Sequence, residues 1–185
     1  MAQLPFDPAK LSPSDLARYE SMAKRRKARG AGFGGPYAAL MNHPELCEKI
    51  EDLGFYLKFR GHLSRDVYQF VVLAVARSTG AAFEWMDHEA HARAAGVPPS
   101  AIETLRERGI GEGAFPAPYD LVAKALASTL VWKEVPQAVQ DECVAAFGVK
   151  GFVELVVLSG FYQMFAGINE GFAISAPVGA PRPFV

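Results

Sequence analysis

The sequence predicts an all-α protein. Apolar residues recur at helical spacing in every long segment. No segment alternates convincingly with period two, and the valine-rich runs at 70–73 and 155–158 each lie inside a longer helical pattern. Glycine, proline and capping residues separate the segments. The length, 185 residues, fits one domain with a full-sized core.

Residues 1–11, with Pro5 and Pro8, read as irregular. Ser12-Pro13-Ser14-Asp15 supplies a helix start, and Leu16, Tyr19, Met22 and Ala23 continue at helical spacing until Gly30 to Gly35. A short helix covers Pro36 to Met41. Asn42, His43 and Pro44 open a longer one to about 60, carried by Leu46, Ile50, Leu53, Tyr56 and Leu57. His43 there reads as a cap or turn residue, with a catalytic role as the alternative. Ser64 caps the next helix, whose face is Tyr68, Val71, Val72 and Val75, and Thr79-Gly80 ends it. A helix over 81–95 follows at once, closed by Gly96, so the two form an antiparallel hairpin. Further helices are expected at 100–108, 118–133, 136–147 and 150–173, with a Gly/Pro loop at 109–117. The expected organisation is an irregular segment 1–11, a helical domain 12–174, and a tail 175–185 extended over a surface or a neighbour. No clear repeat, low-complexity stretch or interdomain linker interrupts it.

Half of the residues are hydrophobic (50%) and 21% are charged. This apolar lean suggests burial between subunits as well as inside one, and hence a homo-oligomer. A net charge of -1 gives no electrostatic case for nucleic acid or an anionic membrane. The basic cluster Lys24-Arg25-Arg26-Lys27-Ala28-Arg29 reads as a solvated helix end. Cys47 and Cys143 are far apart and lack metal or redox spacing, so both read as packing thiols in a reducing compartment. The first eleven residues do not resemble a signal peptide. Phe152 to Ile168 is interrupted by Glu154 and Gln163 and reads as a buried helix rather than a membrane span. The expected location is the cytoplasm.

The candidate chemistry lies in the helix at 81–95. Glu84, His88 and His91 fall at i, i+4 and i+7, on one helical face. Phe83, Ala90, Ala94 and Val97 form a second stripe, expected to be buried. Ala81, Ala92 and Ala95 leave room for a ligand along the polar stripe. Folding the hairpin sets Arg77 level with Phe83 and Glu84, and Gln69 near the level of His91. Gln69, Arg77, Glu84, His88 and His91 can therefore face one pocket. Such a set suits carbanion or enolate chemistry on an anionic substrate. Arginine grips a carboxylate in a fork, histidine exchanges protons near neutrality, and a glutamate orients it or acts as a base.

Each residue also has a plainer reading. Arg77 is a surface arginine, Glu84–His88 a helix pair, His91 a surface residue, and Gln69 an amide bonded to backbone. Trp85 is core or subunit interface, with a substrate platform as the alternative. A Glu84/His88/His91 metal site is the rival use of the stripe, but no metal signature is present, and neither a metal nor another cofactor is expected.

The block Phe83-Glu84-Trp85, His88, Ala92 and Ala95-Gly96-Val97 resembles the carboxymuconolactone decarboxylase-like proteins, which share their helical fold with the alkylhydroperoxidase D-type proteins. Gly35 to Met41 with Pro44-Glu45-Leu46, Leu53 to Arg60, Leu63-Ser64-Arg65, Val72 to Arg77, and Val153 to Met164 resemble other parts of that family in order. The resemblance implies an all-α bundle assembled as a trimer or hexamer. The peroxidase branch of that family carries C-x-x-C-x-x-x-H with an earlier glutamate. Aligned on His88, its cysteine positions are Ala81 and Glu84, and its glutamate position is Gln69. Disulfide-based peroxide reduction is therefore not available at this motif. The resemblance implies instead a cysteine-free, decarboxylase-type branch: a cofactor-independent lyase for a small carboxylated lactone or related product of aromatic-compound degradation. His88 and Glu84 would be catalytic, with Arg77, His91, Gln69 and Trp85 as substrate contacts. The alternatives are a non-catalytic oligomeric binding protein and a redox protein using Cys47 and Cys143.

Overall fold

The computed structural model describes residues 4–30, 32–174 and 183–184. Among these residues there are eight α-helices and no strand. A short 3-10 helix, Pro8–Lys10, precedes α1 (Pro13–Ala28), α2 (Pro36–Leu40), α3 (Pro44–Phe59), α4 (Arg65–Thr79), α5 (Ala82–Ala95), α6 (Pro99–Arg108), α7 (Tyr119–Thr129) and α8 (Gln137–Gly171). The starts follow the capping chemistry. Ser12 accepts from the Asp15 backbone N–H at 3.2 Å. His43 Nδ1 accepts from the Leu46 N–H at 3.3 Å, so His43 does cap work.

The centre is α4. Every residue from Val67 to Ala76 is buried, so it lies within the bundle on all sides. This is why its valine-rich run forms a helix without an exposed face. Helices α5, α6, α7 and α8 pack around it, and α3 lies between α1 and α8. The α4–α5 pair is the expected hairpin.

Several boundaries and faces differ from expectation. Helix α7 stops at Thr129 rather than 133, because Trp132 adopts a positive φ of 58° and the Lys133 N–H turns back to the Ser128 carbonyl at 3.0 Å. The two helices expected at 136–147 and 150–173 are both present, joined end to end as α8 across a break at Gly148, whose backbone is not helical (φ 71°, ψ 165°). The basic cluster of α1 is not simply solvated. Arg25 and Arg26 reach Glu51 at 3.4 and 3.3 Å, and Arg18 and Arg25 reach Glu48 at 2.9 and 3.2 Å. These pairs fasten α1 to α3.

By length and composition α8 passes the test for a membrane-crossing helix, with a mean hydropathy of 1.7 in its most apolar window, of which 33% is buried. Here it packs on α4 and α7. Its Glu154 is buried, accepting from the His62 backbone N–H, from His62 Nδ1 at 2.9 Å and from Tyr56 Oη at 3.2 Å. The expected tail lies mostly outside the described residues; Pro183 and Phe184 rest on the body, at Arg106, Arg77 and Trp85.

Gly35 opens α2 with φ 58°, and its Cα faces the ring of Phe83 on α5. A Cβ there meets both a left-handed backbone and an aromatic ring. Gly80, with φ 70°, has open space around it. Gly35→Ala is therefore expected to lower unfolding free energy in urea melts by about 2–4 kcal/mol, against about 1 kcal/mol for Gly80→Ala. Equal costs would show that the Phe83 contact does not position α2.

Candidate functional site

Helix α5 is rotated relative to the sequence expectation. Its buried residues are Glu84, Trp85, His88 and Ala92. Of the stripe expected inside, Ala90 and Ala94 are exposed, Phe83 is partly exposed, and only Val97 is buried. The polar stripe therefore turns into the bundle, with Glu84 4% and His88 5% exposed.

Three helices supply the cluster around these two side chains. From α4, Gln69 Oε1 lies 2.8 Å from His88 Nδ1. The amide oxygen only accepts, so Nδ1 carries the proton and Nε2 offers its lone pair. From α8, the Tyr162 hydroxyl lies 3.3 Å from that Nε2, and the Tyr68 hydroxyl lies 2.7 Å from Tyr162. The chain of donors therefore runs from Tyr68 through Tyr162 to His88 and on to Gln69. Asn169 Nδ2, also on α8, donates to Glu84 Oε1 at 2.8 Å. Glu84 Oε2 stands 3.9 Å from His88 Nε2. That gap is too long for a hydrogen bond and suits one bridging atom.

Two buried polar atoms in the cluster, Gln69 Nε2 and Asn169 Oδ1, have no hydrogen-bond partner among the described residues. Turning either amide over leaves its other end unpaired. Such atoms mark a place built for something the bare chain does not supply, a water or a ligand group.

Burial sets the protonation of both central groups. It pushes the Glu84 carboxyl up to about 7; the Asn169 N–H offsets part of this and the Asp87 charge adds to it. Burial also pushes the His88 imidazole down to about 3, helped by the charges of Lys58, His91 and Arg65. Near neutrality His88 is a neutral imidazole, and Glu84 is the group that exchanges a proton. Burial likewise holds the Tyr162 hydroxyl well above its ordinary range.

The structure brings Gln69, Glu84 and His88 together, but not the whole expected set. His91 is exposed, its ring 6.1 Å from that of His88. Arg77 turns away towards α6, where its Nε donates to the Arg106 carbonyl at 2.8 Å and its guanidinium lies 5.2 Å from the Phe184 ring. Trp85 is fully buried in that second group, edge-on to Phe184 at 5.5 Å, with its Nε1 donating to Glu89 at 3.0 Å. Among the described residues no three His, Cys, Asp or Glu side chains converge as a metal site requires, Glu84, His88 and His91 included. Both cysteines are buried. Burial, then Glu51, pushes the Cys47 thiol up to about 12, and burial raises Cys143 too, so neither offers a reactive thiolate.

Tyr68, Tyr162 and Asn169 were not among the residues expected at the site. A signal exists for the last two. Leu155, Leu158, Tyr162, Phe165 and Asn169 follow one another at helical spacing and are all buried, so two hydrogen-bonding side chains stand within an apolar stripe.

Glu84 and His88 impose opposite pH dependences on stability. The raised Glu84 pKa contributes stability that is complete below the unfolded value, 4.5, and lost as pH rises through about 7. The lowered His88 pKa contributes stability that is complete above 6.5 and lost as pH falls towards about 3. Denaturant melts of the wild type and Glu84→Gln should isolate the first contribution. Wild-type stability relative to the variant is expected to fall by about 2–3 kcal/mol between about pH 5 and about pH 8. A pH-independent difference would contradict the raised pKa.

Residues 44–134 match the model of the carboxymuconolactone decarboxylase family. No curated protein and no solved structure matches the chain. The matched segment runs from α3 to the turn after α7 and contains Gln69, Glu84 and His88, while Tyr162 and Asn169 lie beyond it. With its all-helical fold and this match across α3 to α7, the chain is similar to the carboxymuconolactone decarboxylase family.

Proposed function

We propose that this protein is a cofactor-independent, decarboxylase-like lyase acting on a small carboxylated lactone or related product of aromatic-compound degradation. The observation that carries the reading is a buried carboxyl with a pKa of about 7, facing a neutral imidazole across 3.9 Å. An acid matched to neutral pH is what proton delivery to carbon requires. In the reaction, the bond between the ring carbon and its carboxylate breaks, and carbon dioxide leaves. The electron pair moves into the conjugated carbonyl as an enolate. Glu84 then gives its proton to the ring carbon and regains one from solvent. His88, fixed by Gln69 and Tyr162, orients the exchange as a neutral partner. The unpaired Gln69 Nε2 is a donor for the enolate oxygen. Relative to the sequence reading, the proton carrier shifts from His88 to Glu84.

The same proposal has the chain act as a cytoplasmic homo-oligomer. Leu53 of α3 and Val153, Val156, Val157 and Met164 of α8 are large apolar side chains at least partly open to solvent, and they support self-association. Leu53, Val157 and Met164 line an apolar groove of about 340 Å³ that also includes Ile50 and Phe161. The closed packing of Glu84 and His88 favours one other reading, a non-catalytic oligomeric binding protein.

Carbon dioxide release from a panel of carboxylated lactones separates the two. The lyase reading expects turnover by the wild type, with kcat lowered about 10²- to 10⁴-fold in Glu84→Gln and His88→Ala that keep their fold and assembly. The rate should fall as pH rises through about 7. Full activity of Glu84→Gln would remove its proposed role, and ligand binding without turnover would favour the binding protein.

A further inference from the structure

The sequence pointed to Arg77 as the carboxylate clamp, but Arg77 lies in the second group with Phe184. The cations that reach the cluster come from the opposite end of α4. Lys58 stands in the last turn of α3 and Arg65 in the first turn of α4. Arg65 Nη1 donates to the Lys58 carbonyl at 2.6 Å, which closes the α3–α4 corner. Both side chains lie against Phe59, at 5.7 and 5.3 Å. The Arg65 guanidinium also lies 5.3 Å from the ring of Tyr68, whose hydroxyl begins the chain to Tyr162 and His88. Among the described residues neither Lys58 nor Arg65 has a carboxylate within 4.0 Å. Lys58 is half-buried, and burial, then the neighbouring Arg65, lowers its pKa while Asp87 acts the other way. A half-buried ammonium without a counter-ion, beside a second cation, is costly until an anion arrives. The charges of both residues bear on His88. Asp87, exposed and 3.7 Å from His88 Nε2, is the carboxylate whose charge acts on Lys58, and the two cations outnumber it.

We propose that Lys58 and Arg65 together form the carboxylate-binding clamp of the Glu84/His88 site and select a substrate carrying an acid group there. The inference rests on the proton-transfer reading for the site's purpose, but binding is measurable without turnover. Lys58 supplies a point charge, and Arg65 supplies the fork.

Calorimetric titration of the full chain with a γ-lactone monocarboxylate and with its methyl ester tests the clamp. The acid is expected to bind about tenfold or more tightly than the ester, and more weakly as salt rises. Lys58→Met and Arg65→Gln should each weaken acid binding about tenfold and leave ester binding unchanged, while Lys58→Arg retains most of it. If a variant does not fold, the acid–ester difference and its salt dependence in the wild type still decide the matter. Equal binding of acid and ester, no binding of the acid, or folded variants that bind the acid like the wild type would overturn the clamp. Clamp-dependent binding without carbon dioxide release would contradict the lyase reading alone. Carbon dioxide release with an unchanged KM in both variants would contradict the clamp alone.

Discussion

An ionised carboxyl taken out of water loses hydration that only counter-charge or hydrogen bonds replace, at a cost of several kcal/mol otherwise. Glu84 is buried with one such bond, from Asn169, and no cation against it among the described residues. The fold therefore favours its protonated form near neutrality. Everything else at the site follows from this. The neutral carboxyl tolerates the apolar surroundings of α4, α5 and α8, and the same surroundings keep His88 neutral. A proton is then held a short distance from an imidazole lone pair, inside a region with a low dielectric.

The helix hairpin supplies this arrangement through its orientation, and that orientation is decided by size. Burying an alanine methyl gains little, whereas burying a tryptophan gains several times as much. Helix α5 turns so that Trp85 and Ala92 are inside. Glu84 and His88, one residue before and three after Trp85, are carried in with it. The cost of burying them is met from α4 and α8, by Gln69, Tyr162 and Asn169.

Much of this was legible in the sequence. The helices and their order were readable because caps, glycines and apolar spacing agreed at nearly every boundary. That Gln69 and His88 share one site was readable from the hairpin, although the hairpin set Gln69 level with His91 rather than with its partner His88. The buried face of α5 was not, because an alanine stripe looks apolar while carrying little driving force. Arg77 was misplaced for a related reason. Hairpin geometry sets the level of a residue along the axis, but eight residues on a helix leave it about 80° around from Gln69. That rotation points Arg77 to α6. Tyr162 and Asn169 were hidden within the most apolar helix, where single polar residues read as interruptions, and their partners lie more than seventy residues away. No local pattern announces such a contact. The family match likewise ends before these two residues.

The proton held on Glu84 near neutrality is the centre of the account, and carbon-13 NMR of the side-chain carboxyl observes it directly. The Glu84 resonance, assigned by its loss in Glu84→Gln, should titrate with a midpoint of about 7. A midpoint near the ordinary glutamate value of 4.5 would mean that the carboxyl is ionised at neutral pH and cannot be the acid of this site.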